Sequence, residues 1–187
     1  MALSATKLRE EVKAGRILID PFNDANINPN SYDLTLGDTL LVYNYPEGST
    51  IDPRKETPTK EIKIPDVGYD LKPGVLYLGH TVERAGSDMW EPQINGKSSI
   101  GRIGLLVHVT AGFGDVGFNQ HWTLEIVDLH ITRKYKIRLT PGMKICQIAF
   151  NEVIKADSEG ETPDVLYRGK YAKSDGVVAS RSHEDFE

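Results

Sequence analysis

The chain reads as a mainly β protein, an antiparallel barrel or jelly-roll-like sandwich that opens with one short helix. Two observations predict this. Only residues 4–15 carry a helical pattern, and no second long helical period follows. The remaining text breaks into short apolar runs punctuated by Gly, Pro, Asn and Asp, the pattern of many short strands joined by turns.

The opening helix, "SATKLREEVKAG", has Ser4 as its N-cap, Leu3 and Leu8 placed for a hydrophobic staple, and Gly15 where a C-cap belongs. Strands are predicted in "YDLTLGDTLLVY" (32–43), "GVLYLGHTV" (74–82), "IGLLVHVTAGF" (103–113), "HWTLEIVDL" (121–129), "KIRLT" (136–140) and "KICQIAF" (144–150). Residues 46–65 are polar and Pro-rich and read as a surface excursion. The tail from about 156 onward is rich in Gly, Ser and charge, with the isolated aromatics Tyr167, Tyr171 and Phe186. It could be disordered or could close over a ligand, and composition favours disorder. There is no internal repeat, so the expectation is one domain over residues 1–187 with a flexible closing segment at about 160–187.

Composition narrows the function. Hydrophobic residues make up 39% and charged residues 26%, ordinary proportions for a soluble globular protein. A net charge of −5 argues against a general nucleic-acid surface, although a small anionic ligand needs only a local basic pocket. No apolar run approaches the ~20 residues of a membrane span, and no signal-peptide pattern opens the chain. The single Cys146 excludes an intrachain disulfide and a Cys-x-x-Cys zinc arrangement, and it fits a reducing, cytoplasmic setting.

Three stretches carry chemistry. In "INGKSSIGRIG" (94–104), Lys97, Ser98, Ser99 and Arg102 lie among glycines 96, 101 and 104. Glycines let backbone N–H groups approach an anion, hydroxyls add hydrogen bonds, and the bases add charge. The spacing is not that of a Walker loop, and a solvated turn with two ordinary basic residues would look the same. In "TAGFGDVGF" (110–118), Asp115 sits in a Gly-rich turn, where it could accept a sugar hydroxyl or simply close an Asx-type turn. In "WTLEIV" (122–127), one carboxylate, Glu125, stands among apolar neighbours, a costly placement if it is buried and unpaired. Alternation puts Trp122, Leu124 and Ile126 on one face and Thr123, Glu125 and Val127 on the other, which could be wet. His108 and His121 could be acid–base groups, but lone strand histidines are more often packing residues.

Together these stretches are specific. "GKSSIGRIGLLVHVTAGFGDVGFNQHWTLEI" strongly resembles the central segment of the dCTP deaminases, members of the trimeric dUTPase superfamily. "INPNSYDLTLG" (27–37), "LKPGVLYLGHTVE" (71–83), "LTPGMKICQIAF" (139–150) and "KYAKSDGVVASR" (170–181) extend the resemblance over nearly the whole chain. It implies a distorted jelly-roll, dUTPase-like β-barrel assembled as a homotrimer, with active sites at subunit interfaces. Lys97, Ser98 and Arg102 would come from one subunit, and the Asp115 to Glu125 hairpin from a neighbour.

By resemblance, Lys97, Ser98, Ser99, Ile100, Gly101 and Arg102 match the loop that organises phosphate and water. Asp115 matches the deoxyribose contact, Thr123 and Leu124 match positions whose backbone reads the pyrimidine edge, and Glu125 matches the catalytic glutamate. Gln147, Tyr167 and Lys170 match nucleotide contacts. Two departures stand out: Ser174 replaces a usual Gln, and Val116 a common Pro.

Deamination requires water to attack C4 of cytosine, and the zinc-dependent deaminases activate that water on a metal held by His and Cys. With one Cys and no such motif, Glu125 is expected to take the proton itself. Ser98 and Arg102 would position the water, the Ala111 carbonyl would be a further anchor, and Mg²⁺ would bind only through the triphosphate. Ala111, Gly112 and Phe113 read like members that release dUMP and so use dUTP as well as dCTP; deaminase-only members carry bulkier polar residues after the alanine. The alternative reading is a deaminase-only enzyme that stops at dUTP; a dUTPase without deaminase activity and a non-catalytic nucleotide-sensing trimer are further rivals, and dTTP is a possible feedback inhibitor.

Overall fold

A computed structural model describes residues 1–132, 135–154 and 165–186. The part of the expected closing segment that falls at 160–164 and at 187 lies outside these residues.

The first helix, α1 (Ala5–Lys13), starts where the sequence places it: the Ser4 hydroxyl accepts the Lys7 N–H, and Gly15 follows the end with φ 71°. Its inward face buries Leu8, and it also buries a carboxylate, Glu11.

The rest is β. In chain order the strands are β1 (Leu18–Asp20), β2 (Ile27–Asn28), β3 (Ser31–Thr35), β4 (Thr39–Tyr43), β5 (Thr59–Lys63), β6 (Tyr69–Asp70), β7 (Leu76–Gly86), β8 (Trp90–Gly96), β9 (Leu105–Leu106), β10 (Asn119–Asp128), β11 (Arg138–Leu139) and β12 (Lys144–Glu152). The one other α-helix among the described residues, α2 (Ser98–Gly101), is a single turn between β8 and β9. A six-stranded sheet runs β5-β4-β7-β10-β9, with β1 also on β7; a four-stranded sheet runs β2-β3-β12-β8, and β6 pairs with β11. Every pairing is antiparallel.

Leu34, Leu36, Leu40, Tyr77, Leu124, Ile126, Ile148 and Phe150 belong to one buried cluster fed by both large sheets. Burying such side chains contributes roughly 1.5–3 kcal/mol each, the main force holding the sheets together.

β1 and β6 fall outside the predicted strands, and three further elements differ from the sequence reading. The run 103–113 is strand only at β9, because beyond Leu106 its backbone leaves the ladder. The excursion 46–65 contains β5, an edge strand on β4 whose Lys60, Glu61 and Lys63 keep that edge charged. Trp90–Gly96 forms β8, paired along its length with β12. The described tail, 165–186, lies against the excursion after β4, where Ser182 donates to the Pro53 carbonyl at 2.8 Å and the Ser180 carbonyl accepts from Thr57 at 3.4 Å.

Candidate active site

The alternation in β10 decides which residues face the site. Trp122, Leu124, Ile126 and Asp128 are buried, while Thr123, Glu125 and Val127 are partly exposed. Glu125 is therefore not entombed. Its face looks into a cleft of about 400 Å³ lined by Tyr43, Leu78, Ala111, Phe113, Asp115, His121, Thr123, Tyr167 and Ser174, among others.

Glu125 is anchored at two points to the segment after β9. Its N–H donates to the Val107 carbonyl at 3.0 Å, and its carboxylate accepts the Val109 N–H at 2.6 Å. The same segment presents Ala111 and Phe113. Gly112 is buried there, and a Cβ on it would sit 2.6 Å from the Ile94 carbonyl. The next turn carries Asp115, whose side chain is exposed and whose carbonyl accepts the Phe118 N–H at 3.1 Å. The Val116 carbonyl, at the position where a proline is common, accepts the Tyr167 N–H at 2.8 Å and fixes the start of the tail. Phe118 packs edge-on to both Trp122 and Tyr167, giving that side of the cleft an aromatic wall. Leu124 points into the core, so only its backbone faces the ligand side.

β10 is held in place by an irregularity in β7. Three β7 residues, Thr81 to Glu83, span the gap opposite Trp122. Thr81 fills it: its hydroxyl accepts the Trp122 N–H at 3.0 Å and donates to the Glu83 carbonyl at 2.7 Å. Glu83, itself buried, accepts from the Thr35 N–H and hydroxyl, each at 2.9 Å.

The basic loop lies elsewhere in the chain. Lys97 caps α2, Ser98 and Ser99 are exposed, and Ile100 turns inward. A side chain on the exposed Gly101 would meet nothing within 4 Å. Arg102 donates to the Ser98 hydroxyl at 3.1 Å, so those two side chains are already paired. Lys97 is tied to the buried carboxylate of Asp33, which Lys144 also approaches at 3.3 Å. Burial opposes ionisation of Asp33, but hydrogen bonds from Lys97 and Asn28 outweigh it and hold the carboxyl below its usual range. Gln147 accepts from Ser31 at 2.9 Å and donates to the Gly96 carbonyl at 3.1 Å. None of Lys97, Ser98, Ser99, Ile100, Gly101, Arg102 or Gln147 lines the cleft of Glu125.

In the tail, Tyr167 and Ser174 line the cleft, whereas Lys170 is paired with Asp185 at 2.5 Å. Ser174, the residue standing where a glutamine is usual, is buried and donates to the Tyr171 carbonyl at 2.8 Å. The sequence reading missed several lining groups. Tyr43 and the stretch Val178–Ser180 reach the cleft only through tertiary folding, and of the two strand histidines left open between acid–base and packing roles, His121 lines it. Among the described residues no group of three His, Cys, Asp or Glu is placed to hold a metal ion. Cys146 is fully buried, and burial pushes its thiol pKa up, away from the thiolate a metal would need. No helix among them is long and apolar enough to cross a membrane.

This geometry accompanies clear kinship. Residues 2–153 match the dCTP deaminase-like family model. The chain is 42% identical over 187 residues to a dUMP-forming dCTP deaminase of Clostridium beijerinckii, covering all of this chain and 99% of that one. It is likewise 42% identical to a protein of the same description from Hathewaya histolytica, covering both chains fully. A third, from Leptospira biflexa, is 44% identical over 172 residues, 91% of this chain and 90% of the other. Among solved structures, a 2′-deoxycytidine 5′-triphosphate deaminase from Agrobacterium tumefaciens superposes with a TM-score of 0.62 at 20% identity, over 81% of this chain and 48% of that chain. The chain belongs to the dCTP deaminase-like family.

Proposed function

We propose that the protein deaminates dCTP and carries the product on to dUMP, pyrophosphate and ammonia, with Glu125 as the general base. The observation that carries this reading is the Glu125 carboxylate itself. It faces a cleft of nucleotide-binding size from within β10, in a chain whose full-length relatives are described as dUMP-forming dCTP deaminases.

In this reading Glu125 takes a proton from water as the oxygen adds to C4, passes it to the ring nitrogen, and helps protonate the departing ammonia. The backbone at Thr123 and Leu124 meets the pyrimidine edge, Asp115 accepts the sugar hydroxyl, and Tyr167 closes one side. Ser98 and Arg102 position the water, and the Ala111 carbonyl orients it. Mg²⁺ would be held by the substrate's triphosphate, whose hard oxygen donors suit it, and would supply charge neutralisation there. Water activation needs no zinc when the carboxylate is the base.

The separation of the Lys97–Arg102 loop from the Glu125 cleft supports a site shared between subunits of a homotrimeric, jelly-roll-like assembly. So do the exposed apolar side chains Ile103, Leu106, Leu129 and Ile131 at the β9–β10 end. Incubation with dCTP and Mg²⁺, followed by separation of dUTP, dUMP and ammonia, tests the reading. Ammonia with dUMP is the expected result; stable dUTP would leave a deaminase alone, and no ammonia would end the deaminase assignment.

A further inference from the structure

His121 lines the same cleft as Thr123 and Glu125 and stands just before them in β10. Its Nδ1 lies 2.9 Å from the Thr81 carbonyl. A carbonyl can only accept, so Nδ1 carries the hydrogen. The carbonyl is fixed in turn, because Thr81 is fully buried and its hydroxyl is committed to Trp122 and Glu83. With the ring pinned this way, Nε2 faces Asp175 of the tail, 3.3 Å from Oδ1. Nε2 can donate to that carboxylate only when the ring carries both protons.

Two neighbours on β10 hold the same stretch of tail. Gln120 donates to the Ala172 carbonyl at 3.1 Å, and the Thr123 hydroxyl accepts the Val178 N–H at 3.3 Å. Three β10 side chains therefore stitch residues 172–178 across the strand that carries Glu125.

We propose that His121 is a positioning residue whose ring, through Asp175, holds the C-terminal segment across the nucleotide cleft. The side chain of Asp175 is 89% exposed, so the pair contributes little to the core and is free to serve closure. The charged groups around His121 set the balance. His80 stacks edge-on at 5.8 Å with its own Nδ1 on the Thr81 carbonyl, and Arg84 lies opposite in the β7 register, engaged with the Asn119 carbonyl and Gln120. Asp115, Glu125, Tyr43, Tyr167 and Tyr171 line the shared cleft, and Lys173 adjoins Asp175 in the tail. Removing either partner of this pair releases the segment.

The inference rests on the cleft being the nucleotide site. It is tested with His121→Gln, Asp175→Asn and the double variant in dCTP turnover, together with hydrogen exchange of the ligand-free protein. Each single change is expected to raise KM for dCTP by about three- to fivefold with kcat within about twofold, as an exposed ion pair allows, and the double variant should be no worse than the poorer single. Amides of 172–178 should exchange faster in both singles. Additive effects, unchanged exchange, or a His121→Gln variant that loses kcat while Asp175→Asn is silent would overturn the proposal. Should His121→Gln fail to fold, Asp175→Asn, on an exposed side chain, decides alone. If the wild type does not turn over dCTP, the functional reading fails, and the exchange experiment still reports on the latch.

Discussion

The carboxylate of Glu125 accepts the backbone N–H of Val109 at 2.6 Å, while its own N–H donates to the Val107 carbonyl at 3.0 Å. Past Leu106 the side chain of one strand thus replaces the backbone acceptor that a continued ladder would supply. This ends β9, and it ties the segment bearing Ala111, Gly112 and Phe113 to the residue proposed as the base.

Glu125→Gln is therefore an informative substitution. Its amide oxygen can still accept from Val109 and keep the segment in place, yet it cannot take a proton from water. Deamination should fall at least a hundredfold, of the order general-base removal costs, with dCTP affinity within about tenfold. Turnover and calorimetric binding on the same preparation check this; a variant keeping more than about a tenth of the rate would remove Glu125 from the role.

Placement of Lys97, Ser98 and Arg102 away from the cleft leads to a test by complementation. Chains carrying Ser98→Ala and chains carrying Glu125→Gln should each be inactive, and mixing them under conditions of subunit exchange should restore part of the activity. The assembly should measure roughly 62 kDa, three times the 20.8 kDa chain. No recovery after verified exchange would place the whole site within one chain.

Much of the scaffold was legible. Ser4 and Gly15 bracket α1 because capping chemistry is local, and the two faces of β10 follow from a period of two. β8 lies outside the predicted strands, and its "WEPQING" carries Pro92, a residue that argues against a strand. It is tolerated for a reason only the fold supplies. The Pro92 carbonyl and the Ile94 N–H bond outward to Gly114 and Gly112, so the missing N–H lies on that side and not in the ladder with β12. In the site, Glu125 and Asp115 could be picked from local pattern. The pairing of Lys97 with Asp33, 64 residues away, could not, nor could the return of Val178 to Thr123.

Stability at low pH should depend on Glu11. This buried carboxylate accepts from Arg16 at 2.5 and 2.8 Å and from Trp90 at 3.1 Å, with Lys7 at 2.8 Å. The Arg16 hydrogen bonds lead in holding its pKa down, from 4.5 to about 2, against the opposing effect of burial. A depressed folded-state pKa contributes stability that is fully present above about 4.5 and is lost as pH falls toward about 2. The contribution is about 2–3 kcal/mol at most, reduced by solvent around the half-exposed cations. Glu11→Gln should be less stable than the wild type at pH 7, with the gap closing across that acid window. Urea unfolding at several pH values measures it, and a gap independent of pH would mean that the cost is packing alone.

The product should be set at Gly112. Its carbonyl accepts the Ile94 N–H at 2.7 Å, and a Cβ added there would meet the Ile94 carbonyl at 2.6 Å and the His108 ring at 3.3 Å. The obstacle is backbone, which cannot swing aside as a side chain would, so any larger residue must push the 107–113 segment. That segment is the one Glu125 holds and the one that presents Phe113 to the cleft. With glycine the turn stays compact, leaving room for a second water to reach the α-phosphate after deamination, with Asp115 nearby to receive its proton. Gly112→Ala should therefore shift the product of dCTP turnover from dUMP toward dUTP, with the deamination rate less affected than the dUMP yield. Time courses with labelled dCTP should show dUMP without a dUTP lag in the wild type and accumulating dUTP in the variant, and dUTP supplied alone should be hydrolysed only by the wild type. If the dUMP share is the same in both, the compact turn does not select the product, and the second water must enter by another path.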